Sequence, residues 1–351
     1  MTFAEVAEEW LSTRTRARPQ TVERYRRILE LWVNPVFGHR PINTIRPADI
    51  GRFVNGLKVA TAKPPHQPAP LRPATIARIV GPLQTVLRFA HDQEYIRKNP
   101  AAGVALPDAD AMGVEPFVGH ALTWAEVTRI ADAAAVHDPM YGLVVRLLAR
   151  TGLRASELSG LRVEDHSPGW LRVNETRTRD SLAPDGIRSG APKSKTSRRA
   201  IPIAPDLDAA VASYLAEHPR AADPRAALFP SRWANQEWME HHVREGTDIF
   251  NWDRPIDPGN FKRRVFDPAC RRAGVGPVRL HDLRHTAGSL LLAAGVDIFH
   301  VSRILGHSSV DFTAKVYGHT YAASLNVAAA TLAAYLSTEQ TDNVVPIRRQ
   351  A

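Results

Sequence analysis

HDLRHTAGSLLLAAGV, residues 281–296, decides how the rest of the chain is read. At about 100° per residue, Leu283, Ala287, Leu290, Leu291 and Ala294 gather on one side, the stripe a core-facing helix buries. His281, Arg284 and His285 gather on roughly the opposite side of the first two turns. The leucines account for packing and leave the basic cluster to be explained. His281 and Arg284 stand one turn apart, close enough for both to touch one phosphate. His281 and His285, at i and i+4, are the competing metal pair. They lack the acidic general base of a zinc helix, and Arg284 would repel a cation, so no metal is expected. His285 reads as a structural histidine.

The chain has 351 residues, enough for two ordinary domains. Its apolar and charged fractions are those of a globular protein. No apolar run reaches the length of a membrane span, so no membrane-spanning segment is expected. The opening MTFAEVAEEWL carries charges where a signal peptide needs an apolar core, and the single Cys270 fits a reducing compartment; both point to the cytoplasm. The net charge of +9, mostly arginine, suits a polyanion: nucleic acid first, an anionic membrane surface second.

Two helix starts are written as capping boxes, Thr2 with Glu5 and Thr123 with Glu126. Between them the pattern gives helices around Val22–Val33, Pro47–Leu57 and Thr75–Tyr95, with Pro82 expected to kink or split the last. KVATAKPPHQPAPLRP (58–73) reads as an extended loop. Residues 1–107 form a helical unit; over residues 1–110, 16 Lys/Arg face 10 Asp/Glu, a net of +6. Residues 108–121 read as a linker, 122–335 as a second domain and 336–351 as a polar tail. In that second domain an apolar helix, MYGLVVRLLART, ends at Gly152. GWLRVNETRT then reads as a strand paired with SRRAIPIAP, and GAPKSKT lies at or near their turn. Helices follow at Leu207–Glu217, Phe261–Ala273, the opening stretch and Phe299–Leu305. A turn-rich piece, GHSSVDFTAKVYGHTY, and an alanine-rich helix close the chain. SRWANQEWMEHHVREGTDIFNWDRP (231–255) reads as an inserted aromatic flap, its His241–His242 pair solvated rather than metal-binding. The fold class is therefore mostly α with a small antiparallel sheet.

Four features outside the opening helix carry potential chemistry. TGLRASEL sets Arg154 just after a helix-ending glycine, with Glu157 placed to orient it; taken alone it is also a surface ion pair. APKSKTSRRAIPI sets Lys195 on a basic turn, where a lysine can reach a phosphate or protonate a leaving oxygen; nothing physical separates it from Lys193. LGHSS gives His307 at a turn. TAKVYGHTY gives Tyr317, ten residues later, either packing or a nucleophile.

Each feature alone is weak. Their order, TGLR…SEL, a basic β-turn lysine, HxxR, LGH, then tyrosine, resembles the tyrosine recombinase family, the phage and Xer-type integrases. The likeness covers about Thr123 to Leu332, and less specifically the helical unit, which is similar to the family's core-binding domain. It implies a two-domain clamp, a helical core-binding domain plus an α+β catalytic domain, around double-stranded DNA. It also implies a site built from Arg154, Lys195, His281, Arg284, His307 and the nucleophile Tyr317. No further arm-binding module is expected ahead of the helical unit.

The implied chemistry suits these side chains. In-line attack on a phosphodiester loads negative charge on the non-bridging oxygens and needs proton handling at both bridging ones. Arg154 and Arg284 would clamp those oxygens and His307 would add a neutral donor. Tyr317 would pass its proton to His281, its phenolate favoured by the arginine field, and Lys195 would protonate the departing 5′ oxygen. A 3′-phosphotyrosyl link conserves the bond energy, so neither ATP nor metal nor other cofactor is required. The family implies a homo-tetramer on two sites, a dimer per site, a Holliday-junction intermediate, accessory bending or directionality factors, and a bacterial, nucleoid-associated setting. The rivals are a regulator that binds DNA without cutting it and a type IB topoisomerase-like enzyme.

Overall fold

The structure, a computed structural model, describes residues 1–61, 70–108, 112–113, 121–179, 187–190, 198–232 and 249–321. The chain divides into two compact units, Met1–Phe117 and Val118–Ala351. The proline-rich loop, most of the 108–121 stretch, Lys193, Lys195, His241, His242, the alanine-rich helix and the polar tail lie outside the described residues.

The first unit is helical. α1 (Phe3–Ser12) opens on the expected box: Thr2 N–H donates to Glu5 at 2.8 Å, and Glu5 N–H to Thr2 Oγ1 at 3.4 Å. Its inner face buries Phe3, Val6, Ala7, Trp10 and Leu11. α2 (Pro19–Ile28) runs through a π turn (Leu29–Val33) into α3 (Asn34–Phe37). Pro35 follows that turn directly, and Asn34 N–H reaches back five residues to the Leu29 carbonyl. A proline ring clashes with the carbonyl four residues before it, and the widened turn relieves that clash. α4 (Pro47–Val59) and α5 (Pro73–Asp92) complete the set. The split expected at Pro82 does not occur: α5 is one helix, with Pro82, Ile79, Val80, Leu83 and Val86 all buried. An internal proline costs about 3 kcal/mol. Several side chains buried at roughly 1.5–3 kcal/mol each outweigh it.

In the second unit α6 (Trp124–Ala135) starts on the Thr123–Glu126 box, and α7 (Pro139–Thr151) is buried almost throughout. α8 (Ala155–Leu158) is a single turn. β1 (His166–Ser167), β2 (Trp170–Val173) and β5 (Arg199–Pro202) form a three-stranded antiparallel sheet in the order β1-β2-β5. The register sets Leu171 against Ile201 and Val173 against Arg199. The strand expected over GWLRVNETRT is broken in two. Asn174 donates to Asp165 at 2.7 Å and Arg162 Nε to Glu175 at 2.8 Å, so the chain turns away there. β3 (Thr176–Arg179) then pairs with β4 (Ile187–Gly190). The 231–255 stretch, read as an inserted aromatic flap, contributes β7 (Phe250–Pro255), paired with β6 (Pro230–Arg232).

α9 (Pro205–Ala216) precedes α10 (Pro258–Phe261), which passes through a second π turn (Lys262–Phe266) into α11 (Asp267–Arg272), again directly before a proline, Pro268. α12 (Asp282–Ala293) is the opening stretch, α13 (Ile298–Leu305) the short helix, and α14 (Val310–Tyr321) a helix where turns were expected. Buried Thr313 and Tyr317, one turn apart on α14, supply an inner face that the polar sequence conceals. No described helix is long and apolar enough to cross a membrane.

α7 stops where Gly152 turns left-handed, at φ 64°. A Cβ there would stand 2.3 Å from Leu305 Cδ2 and 3.3 Å from Ala287 Cβ. Gly152→Ala therefore combines backbone strain with overpacking and should cost about 2–4 kcal/mol. Gly295, also left-handed at φ 80°, has nothing within 4 Å of that position. Gly295→Ala should lose only the strain, about 1–2 kcal/mol. Urea unfolding of the two variants checks the difference; equal losses would show that the Leu305 contact is immaterial.

Candidate active site

Two glycine-capped helix ends and the first turns of α12 meet in the second unit. After the Gly152 cap the chain turns into α8, and Arg154, its N-cap, is held by Glu157. The Arg154 backbone N–H donates to Glu157 Oε2 at 2.8 Å and its Nη1 to Oε1 at 2.7 Å. Its Nη2 donates to the carbonyl of Gly306 at 2.9 Å. Gly306 is the left-handed cap of α13, φ 65°, and directly precedes His307. Arg284, on α12, donates its Nη1 to the carbonyl of Gly152 at 2.6 Å. Each arginine is thus tied to the cap beside another member of the set.

The opening stretch does not present its basic residues as one exposed face. Leu283 and Ala287 are buried as expected, but Arg284 is also only 3% exposed, whereas His281 is exposed as a residue with its ring packed against that of His285. His281 and His285 stack edge to face with ring centres 5.0 Å apart. Arg284 Nη2 is buried and has no hydrogen-bond partner among the described residues. Burial, and then the Arg154 charge, press the Arg284 guanidinium down to about 9, so it remains charged at neutral pH.

Burial first, and then the charges of Arg284, Arg154 and Arg199, hold His307 down to about 3. Desolvation, then His285 and Arg284, holds His281 down to about 4. Both rings are neutral at pH 7. Tyr317 is 3% exposed, and its hydroxyl donates a long 3.4 Å bond to the Arg284 carbonyl. A Cβ on Gly288 would fall 2.4 Å from the Tyr317 ring carbon Cζ, so the ring lies flat on a bare stretch of α12. The arginine field was expected to favour the phenolate. Here desolvation outweighs the opposing charge of Arg284, and the phenol is pushed up to about 12.

Sequence reasoning missed Arg199. It lies on β5, buried, and donates Nη1 and Nη2 to the two oxygens of Glu157 at 3.0 and 2.9 Å, while its Nε reaches the Ile304 carbonyl. Glu157, 1% exposed, is therefore shared by two guanidiniums, which keep its carboxyl below the usual range against the opposing effect of burial. The available signal was the alternation of SRRAIPI, which turns Arg199 to the same side as Ile201. Among the described residues no three His, Cys, Asp or Glu side chains gather as a metal would require.

Residues 120–324 match the phage integrase family, and residues 2–58 match the family's N-terminal SAM-like domain. A tyrosine recombinase XerC-like protein of Caldanaerobacter subterraneus subsp. tengcongensis is 28% identical over 255 residues, 70% of this chain and 62% of that one. The putative prophage phiRv2 integrase of Mycobacterium tuberculosis H37Rv is 24% identical over 88% of this chain and 72% of its own. The fold is that of the Tn1549 transposon integrase in complex with transposon right end DNA (TM-score 0.71, 22% identity, 95% of this chain and 100% of that one). It is also that of a lambda integrase dimer bound to a COC′ core site (TM-score 0.64, 17% identity, 90% and 77%). A match over more than half the chain, and the helical domain model ahead of it, leave one conclusion: the chain belongs to the phage integrase family of tyrosine recombinases, which cleave and rejoin DNA.

Proposed function

We propose that this chain is a site-specific DNA recombinase that cuts and rejoins strands through a 3′-phosphotyrosyl intermediate. The observation that carries the reading is Arg284 Nη2, buried and without a described partner, in a site where Arg154 and Arg199 already occupy Glu157. A buried charged donor of that kind calls for an anionic oxygen, and a phosphodiester supplies two.

In the proposed reaction Arg154 and Arg284 hold the non-bridging oxygens and His307 donates to one of them. The Tyr317 oxygen attacks phosphorus in line while its proton passes to His281. The bond to the 5′ oxygen breaks as Lys195, or Lys193 beside it, supplies that oxygen with a proton. A 5′ hydroxyl from another strand reverses the sequence, so no nucleotide is spent. Tyr317 is 3% exposed, so the turn of α14 that carries it has to uncover the phenol when DNA binds. The +6 charge over residues 1–110 suits the helical unit to the other half of a clamp on the duplex, with phosphate contacts fixing register and groove contacts reading bases. A dimer on each of two sites, a tetramer across the junction, accessory factors and a cytoplasmic, nucleoid-associated location complete the proposal.

Incubation with a library of randomised duplexes nicked so that a cut strand escapes should trap a covalent protein–DNA adduct. Tyr317→Phe should bind the recovered sequences with unchanged affinity and give none. Arg284→Ala should slow adduct formation by on the order of 10²–10³. Tight binding without any adduct would make the chain a regulator; supercoil relaxation without exchange between sites would make it topoisomerase-like.

The two depressed histidines set the pH behaviour. Their folded values, about 4 and about 3, lie below the ordinary 6.5, so between those limits the unfolded chain binds the protons. Stability should therefore fall as pH drops from 7 toward 4, and the melting temperature should be lower at pH 5 than at pH 7. His307→Gln should flatten that decline. The adduct rate at saturating DNA should be level from pH 8 to 6, where an ordinary histidine would impose a step.

A further inference from the structure

His307 and Thr313 lie on opposite sides of the turn that leads into α14, with His307 Nδ1 and Thr313 Oγ1 2.7 Å apart. Thr313 is 0% exposed, so its hydroxyl proton has no water to go to. Elsewhere in the chain, threonines inside helices turn that proton to the carbonyl four residues back: Thr85 to Gly81, Thr151 to Leu147, Thr286 to Asp282. Thr313 makes no such bond; among the described residues its only side-chain partner is His307. A neutral imidazole carries one proton on one of two nitrogens, and the partner of one nitrogen fixes the state of the other. If Nδ1 held the proton, Thr313 would accept it and its own buried O–H would be left unmade, at a cost of about 1–3 kcal/mol. If Thr313 donates, Nδ1 offers its lone pair and the proton sits on Nε2.

We propose that Thr313 is a positioning residue that locks His307 in its Nε2–H form, so that the ring meets the phosphate as a neutral donor. This rests on the recombinase reading above. Nε2 has no described partner, and three guanidiniums, Arg154, Arg199 and Arg284, surround the ring. That field repels a second proton, so a hydrogen-bond donor at Nε2 depends on the tautomer and not on ring charge. Thr313 stands one helical turn before Tyr317 on α14, and both face inward. The helix that delivers the nucleophile therefore also sets the donor: the first turn of α14 keeps Thr313 on His307 while the next turn uncovers Tyr317.

Two measurements on the full chain test this. In protein carrying ¹⁵N-histidine, the two-bond correlations of His307, assigned with His307→Gln, should show the Nε2–H pattern without DNA. Thr313→Val should shift the ring toward a tautomer mixture and Thr313→Ser should restore it. With the nicked substrate, Thr313→Val should slow adduct formation about tenfold, the loss of roughly one hydrogen bond, with DNA affinity unchanged. Thr313→Ser should return it to within about twofold of wild type. In a His307→Ala background, Thr313→Val should change nothing further. An Nδ1–H pattern in the wild type, or a Val variant as fast as wild type, overturns the proposal. An equal further loss in the His307→Ala background does so too, because it makes Thr313 merely structural. A wild-type chain that forms no adduct sinks the recombinase reading instead and leaves the spectrum to judge the lock.

Discussion

The site depends on two hydrogen bonds that cross. Arg284 holds the carbonyl of Gly152, the cap that sets Arg154, and Arg154 holds the carbonyl of Gly306, the cap that sets His307. Neither bond is between groups near in sequence, so the closing of the α7, α12 and α13 ends and the aiming of the arginines are one event. Glu157 adds the third tie. Shared between Arg154 and Arg199, it fixes the β5 edge to the same point and lets a buried carboxylate remain ionised. Removing Glu157 would leave both guanidiniums without their carboxylate, that of Arg199 nearly buried, the costly outcome for such networks.

Burial and charge both act on each titratable group, and their balance differs. For the two histidines they act together, since desolvation and neighbouring cations both favour the neutral ring. For Tyr317 they oppose each other, and desolvation prevails. The phenol lies against Gly288, and Arg284 contacts it through a backbone carbonyl instead of the guanidinium. A cluster of arginines therefore does not activate a tyrosine by proximity in sequence; the direction in which the charged end points decides.

Much of this was legible before the fold was known. Both capping boxes hold because a Thr–x–x–Glu pair is a local contract between neighbours. Arg154, Arg284, His307 and Tyr317 were readable by type and order, and Glu157 by its spacing from Arg154. What was hidden depends on distant partners. α14 looked like turns because its inward face is a threonine and a tyrosine, apolar only once α12 covers them. β3 left the line of β2 because Arg162 and Asp165, 13 and 9 positions back, engage Glu175 and Asn174. Arg199 passed as one more basic residue in a basic turn, since its worth comes from a glutamate 42 positions away. Pro82 promised a kink or a split, and hydrophobic packing overrode the split.

Two guanidiniums on one carboxylate, with that of Arg284 beside them, leave the site of the second unit with uncancelled positive charge while the histidines are neutral. Such a centre is an internal counter-ion exchanger. An oxyanion that entered it would relieve the self-repulsion, and one that bound the folded form alone would, at about a hundred times its dissociation constant, add about 2.7 kcal/mol of stability. The resilience of such a centre is therefore partly a property of its buffer, and under the proposed reaction the DNA backbone is the salt that completes it.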